Sequence, residues 1–254
     1  MSAITFDEAY DLSGQIAVVT GAAGEIGFLI ASQLAERGAK VALVDISEKV
    51  TEAASKLTGK GHTGWVVDLT DASAIAPAVK SIEAHYERID ILVNNAGIAL
   101  IDDAVDVPKD RWDLQVAINL TAPFLLAQAV GPGMLSRRYG RVVNISSQAG
   151  VIALQGHAGY SSTKAGLIGL TKVLALEWGP HGVTANAVSP TVVNTALGRR
   201  VFDGEEGVRF KSLLPTRRFA EPEEISLAVL YLVSQGSGST TGANLLVDGG
   251  YSMQ

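Results

Sequence analysis

The sequence predicts one α/β domain built on a doubly wound, seven-stranded parallel sheet with helices on both faces. Three observations carry this. Short apolar runs rich in β-branched residues recur seven times, with segments of helical periodicity between them. The runs are near-continuously apolar rather than alternating, as strands buried on both faces must be. No linker, repeat or low-complexity stretch divides the 254 residues, a length that a single large α/β domain fills.

The elements follow in order. A first strand at 15–20 enters a glycine-rich turn and a helix at 26–37. A second at 40–45 closes on Asp45 before a helix at 47–57. The third, 63–68, closes on Asp68, and Asp71 is placed to cap a helix at 72–86. The fourth strand at 89–94 precedes a long helix at 109–137, and the fifth at 140–146 precedes another at 158–178. After the sixth strand, 183–189, comes an irregular stretch at 191–221 with room for a short helix at 204–212. A last helix at 222–234 opens on Pro222, and the seventh strand spans 244–248. Right-handed crossovers bring every strand's carboxyl end to one edge, where such sheets bind ligands. A loop as long as 191–221 in a compact domain is usually functional, so it is taken as the substrate loop.

Composition excludes several chemistries. The chain has no cysteine, so disulfides, thiolate nucleophiles and cysteine-bound metals are absent. Its four histidines, His62, His85, His157 and His181, show no paired ligand spacing, and no metal site is expected. A net charge of −6 disfavours nucleic acid and anionic membrane surfaces as partners. No uninterrupted run approaches the roughly 18 apolar residues of a membrane span, and a cytoplasmic protein is expected.

The turn Thr20-Gly21-Ala22-Ala23-Gly24-Glu25-Ile26-Gly27 joins strand to helix with small residues. Such a turn lets backbone approach a pyrophosphate, with the unpaired N–H groups of the helix start behind it, the arrangement of Rossmann-type sheets. A glycine cluster alone is weak evidence. Asp45 strengthens it, since a carboxylate at the end of the second strand accepts hydrogen bonds from ribose hydroxyls and repels a 2′-phosphate. No Arg or Lys occurs at 22–25 or just after Asp45, which favours NAD over NADP.

Tyr160-Ser-Ser-Thr-Lys164 sets a phenol and an ammonium one helical turn apart. A tyrosine is a poor base near neutrality, and a nearby fixed cation should lower its pKa. With six tyrosines in the chain, such a pair also arises by chance. Its companions are more telling: Asn144-Ile-Ser-Ser147 closes the fifth strand, Asn94-Asn95-Ala96-Gly97 the fourth, and Asn119 lies in the following helix.

Together, in this order, the motifs resemble the short-chain dehydrogenase/reductase family in its compact form, over essentially the whole chain from Leu12 to Tyr251. The resemblance implies that Tyr160 is the acid/base exchanging a proton with the substrate oxygen, and that Ser147 polarises that oxygen. It implies that Lys164 holds the nicotinamide ribose and lowers the tyrosine pKa, and that Asn119 positions a water in a proton relay. Gly21, Gly24, Glu25, Ile26 and Gly27 would face the dinucleotide phosphates, and Asp45, Asp68, Leu69, Asn95, Ala96 and Gly97 its adenosine half. Pro190, Val193 and Thr195 would contact the nicotinamide. Two departures stand out: Glu25 holds the place of the family's middle glycine, with Gly24 one residue early, and Pro190-Thr191 replaces a usual Pro-Gly.

The chemistry agrees from below. Hydride leaves a carbinol carbon only as its oxygen gives up a proton, so base, oxyanion donor and fixed cofactor face are all required. Spacing to Tyr160 selects Ser147 over Ser146. Gln148, Gln155 and His157 join Ser147 and Tyr160 around the reacting carbon, and their polarity suits a polyol, a sugar or another small polyhydroxy compound. The cations Arg199, Arg200, Arg209 and Lys211 of the loop are read mainly as a solvated face. A 3-oxoacyl-carrier-protein reductase is the enzymatic alternative, disfavoured by Asp45, and an idle NAD(H)-sensing protein is the non-enzymatic one. Apolar residues over more than one face of the two long helices point to a homotetramer.

Overall fold

The structure, a computed structural model, describes residues 4–253. A short helix α1 (Phe6–Ala9) opens it, closed by a reciprocal capping box between Thr5 and Glu8. Then follow β1 (Ile16–Thr20), α2 (Glu25–Glu36), β2 (Lys40–Asp45), α3 (Lys49–Ser55), β3 (Thr63–Val66), α4 (Ala72–Tyr86) and β4 (Ile91–Asn94). The second half holds α5 (Lys109–Val116), a π turn (Ala117–Thr121), α6 (Ala122–Arg137), β5 (Gly140–Ile145), α7 (Ala158–Trp178) and β6 (Val183–Pro190). It ends with α8 (Ala196–Val201), α9 (Gly204–Leu213), α10 (Pro222–Val233) and β7 (Asn244–Val247).

The sheet order is β3-β2-β1-β4-β5-β6-β7, and every pairing is parallel. Alternate strand residues feed two cores. Ala17 and Val19 pack with Ile30, Leu34, Ile225 and Val229 beneath α2 and α10. Val18, between them, joins Val79, Val130, Met134 and Leu174 on the α4, α6 and α7 side. Both faces are therefore covered, which the uninterrupted apolar strands foreshadow. The run Lys109–Arg137 is long and apolar enough in composition to cross a bilayer, with a mean hydropathy of 1.4. Instead its residues Leu126, Ala127, Val130 and Met134 lie in the second core.

Strand and helix cores stand where the sequence places them, and differences lie at ends and in loops. Strand β3 stops at Val66, an exposed residue on the sheet's edge strand. Asp71 caps α4 by accepting from the Ser73 amide, as expected. The single helix expected at 109–137 is interrupted by the π turn, and the 191–221 stretch contains α8 as well as α9. Register then sets the site: Asn94 pairs with Asn144 and Asn144 with Ala187, while β6 and β7 run on together to Pro190 and Val247 beyond that level.

Candidate active site

Four side chains meet where β5 and α7 converge. The β5 exit carries two serines with different fates. Ser146 is buried and donates to the Lys164 carbonyl (2.9 Å), so it ties strand to helix. Ser147 is half-buried, caps a short turn by accepting from the Ala149 amide (3.1 Å), and hydrogen-bonds the Tyr160 phenol. Tyr160 and Lys164 lie one turn apart on α7, with the Lys164 Nζ 5.6 Å from the phenol ring centre. That ammonium donates to the Ile145 carbonyl at 2.8 Å.

Asn119 sits inside the π turn, completely buried. Its Oδ1 accepts from the Ile98 amide (2.9 Å), and its Nδ2 donates to the Ile98 carbonyl (2.8 Å) and the Thr163 hydroxyl (3.2 Å). A Cβ built on Gly97 would lie 3.1 Å from Asn119 Oδ1 and 3.2 Å from Lys164 Nζ, which places these three residues against one another. Pro123 follows Asn119 by four positions and has no N–H, so the Asn119 carbonyl is left without its α-helical donor. π turns of this kind gather at functional sites.

The electrostatics correct one expectation. Burial raises the Tyr160 pKa above its ordinary value, and the hydrogen bond from Ser147 opposes this only in part. Burial also pulls the Lys164 ammonium down to about 8. In the protein by itself, loss of hydration outweighs the lowering of the phenol expected from the neighbouring cation.

The cofactor side is a set of interlocked loops. Asn95 Nδ2 donates to the Thr20 carbonyl (2.9 Å), and the Thr20 hydroxyl accepts from the Asn95 and Ala96 amides, each at 3.0 Å. The β1 and β4 exits are so close that a Cβ on Gly21, whose φ is +65°, would fall 2.9 Å from the Ala96 Cα. One on Gly27 would fall 2.3 Å from the Gly21 carbonyl oxygen. Asp45 is held facing this turn, accepting from Ala23 (3.0 Å) and Ser47 (2.9 Å) amides. None of the described ion pairs involves Asp45. A glycine-lined turn at a helix start, beside an Asp45 carboxylate without an ion-pair partner among the described residues, fits a dinucleotide without a 2′-phosphate.

Asp68 is exposed and accepts from the Thr70 amide (2.8 Å), with Leu69 buried beside it. Pro190 ends β6, Val193 is bridged to Ala220, and the Thr195 hydroxyl caps α8 by accepting from Gly198 (3.0 Å).

On the substrate side, Gln148 is buried and its Oε1 has no hydrogen-bond partner. His157 donates from Nδ1 to the Gln155 carbonyl (2.6 Å), since a carbonyl can only accept. Its ring stands edge-on to Tyr160 at 6.1 Å. The Gln155 side chain lies at the exposed rim. Sequence reasoning missed Gln115, whose buried Oε1 accepts from Leu100 (3.1 Å), and the Arg111–Asp102 pair (2.7 Å), which fasten the loop after β4. A polar residue on the inward face of α5 was the available signal for Gln115.

Strand ends gathered on one edge of the sheet, a serine–tyrosine–lysine cluster and a glycine cradle fit a nucleotide-dependent hydride-transfer site. A family model described as Enoyl-(Acyl carrier protein) reductase matches residues 21–252. The chain belongs to the short-chain dehydrogenase/reductase family. It is 44% identical over 254 residues to D-threitol dehydrogenase of Mycolicibacterium smegmatis, covering 99% of this chain and 98% of that one. It is 41% identical over 249 residues to the NAD-dependent glycerol dehydrogenase of Listeria innocua serovar 6a, covering 98% of each. A crystal structure of NAD+-bound xylitol dehydrogenase superposes with a TM-score of 0.88 at 30% identity, covering 93% of this chain and 98% of that one.

Proposed function

We propose that this chain is an NAD(H)-dependent dehydrogenase that interconverts a secondary alcohol and a ketone on a small polyol. The observation that carries the reading is the Ser147–Tyr160–Lys164 cluster. NAD, held by the glycine turn, Asp45, Asn95 and the Pro190–Thr195 strand exit, supplies the hydride acceptor when bound.

The chain's residues handle the proton and the orientation. Ser147 donates to the alcohol oxygen and fixes it beside the phenol. Tyr160 takes the hydroxyl proton as the hydride leaves, and returns it in the reverse direction. Lys164, whose buried ammonium has its pKa pulled down to about 8, lies against Asn119 and would hand the proton on to solvent through a water that Asn119 positions. Gln148 and His157, next to Ser147 and Tyr160 in the chain and in space respectively, bring polar groups that suit the further hydroxyls a polyol provides and a simple alcohol does not. The NAD-dependent and polyol names of the relatives point the same way. We place the protein in the cytoplasm, where the NAD(H) pool turns over, and as a homotetramer built through the outer faces of α6 and α7.

The test is NADH formation on glycerol, threitol and xylitol, compared with NADP in place of NAD. Tyr160→Phe should lose roughly 10²- to 10⁴-fold in turnover while still binding NADH. Undiminished turnover in that variant sinks the mechanism, and preference for NADP sinks the reading of Asp45.

A further inference from the structure

Glu25, the residue standing in the place of the family's middle glycine, does something a glycine cannot. It is the first residue of α2, and its Oε2 accepts a hydrogen bond from the Ala196 amide at 2.8 Å, across 171 positions of sequence. Ala196 is the first residue of α8, so its N–H has no partner within its own helix. The Thr195 hydroxyl takes the Gly198 amide, and Glu25 takes Ala196, so the two share the open donors of that helix start.

The rest of the loop's root is fixed to the opposite side. Val193 bridges Ala220, the Asn194 amide group donates to the Glu221 carboxylate (3.0 and 3.2 Å), and Arg199 donates to the Asn194 carbonyl (2.7 Å). Glu25 thus adds a hold from the cofactor-binding turn to a loop otherwise anchored on α10. We propose that Glu25 is a latch, a positioning residue that fastens the start of the substrate loop to the head of α2 before any cofactor arrives.

The latch carries a charge. A carboxylate at the start of α2 is favoured by that helix's dipole, and the same donors attract the phosphates of a dinucleotide. Glu25 therefore stabilises the loop and opposes the cofactor's negative charge. Removing it should move the two in opposite directions, which a general weakening of the fold would not do.

Hydrogen exchange and NADH binding test this in the full-length protein. Glu25→Gly should speed amide exchange at 196–201 about fivefold without cofactor, the weight of one ordinary hydrogen bond. It should also tighten NADH binding severalfold and raise the alcohol KM by a similar factor. Glu25→Gln keeps an acceptor without the charge, so it should retain native exchange at 196–201 yet bind NADH more tightly. The KM effect rests on the dehydrogenase reading, whereas the exchange measurement on cofactor-free protein stands apart from it. Native exchange at 196–201 in Glu25→Gly overturns the latch, and so does weaker NADH binding in both variants.

Discussion

Lys164 is the residue at which the chemistry and the stability of this protein meet. Its side chain is almost fully buried and its ammonium has one carbonyl partner, so holding the charge costs free energy that the unfolded chain does not incur. The sign follows from the depressed pKa of about 8. Between about 8 and the ordinary lysine value the unfolded chain binds more protons, so stability rises with pH in that interval and is lost again as pH falls through it. Tyr160, raised by burial, acts oppositely only near and above 10, where the unfolded phenol ionises first. Urea unfolding of the cofactor-free protein from pH 8 to 9.5 should therefore show a gain approaching ~2 kcal/mol. Lys164→Met should flatten that slope. A slope unchanged by the substitution would mean that the lysine is hydrated in solution.

Behind the site, three elements are joined by a chain of buried amides. Asn94 on β4 donates to Asn144 on β5 (2.8 Å), and Asn144 donates to the Thr171 hydroxyl on α7 (2.9 Å). Thr171→Val keeps the shape and strands the Asn144 N–H, so it should cost about 1–3 kcal/mol by chemical denaturation, and turnover should fall less than stability. Loss of turnover without loss of stability would contradict this ordering. Helices α4 and α7 were legible to the residue, α4 because Asp71 starts it. The π turn was not, because Ala-Ile-Asn-Leu-Thr is ordinary helical sequence, and only Pro123 hinted that the Asn119 carbonyl would be released. Helix α8 escaped as well, since its six residues are too few to show a period and its start is completed by Glu25 from far away. Likewise, the Tyr160–Lys164 pair is local and readable, whereas the balance of desolvation over Coulomb attraction depends on packing that no spacing encodes.

At the scale of the molecule, apolar side chains remain on the outer faces of α6 and α7, with Phe124 44% and Leu176 79% exposed in one chain. Covering such residues is what a proposed homotetramer achieves. Light scattering on the native protein should give a fourfold mass, and Leu176→Glu should shift it to smaller species. An unchanged mass in the variant would move the interface elsewhere. The buried asparagine pair also bears on how the chain finds its fold. Strands such as β1, β2 and β4, made largely of Val, Ile, Leu and Ala, are a slippery template, because sliding one strand by two positions exchanges one aliphatic contact for another. Asn94 and Asn144 stand directly opposite each other, and a slipped pairing would abandon two amides in hydrocarbon. The same side chains that brace the catalytic helix thus proofread the alignment of the central strands during folding.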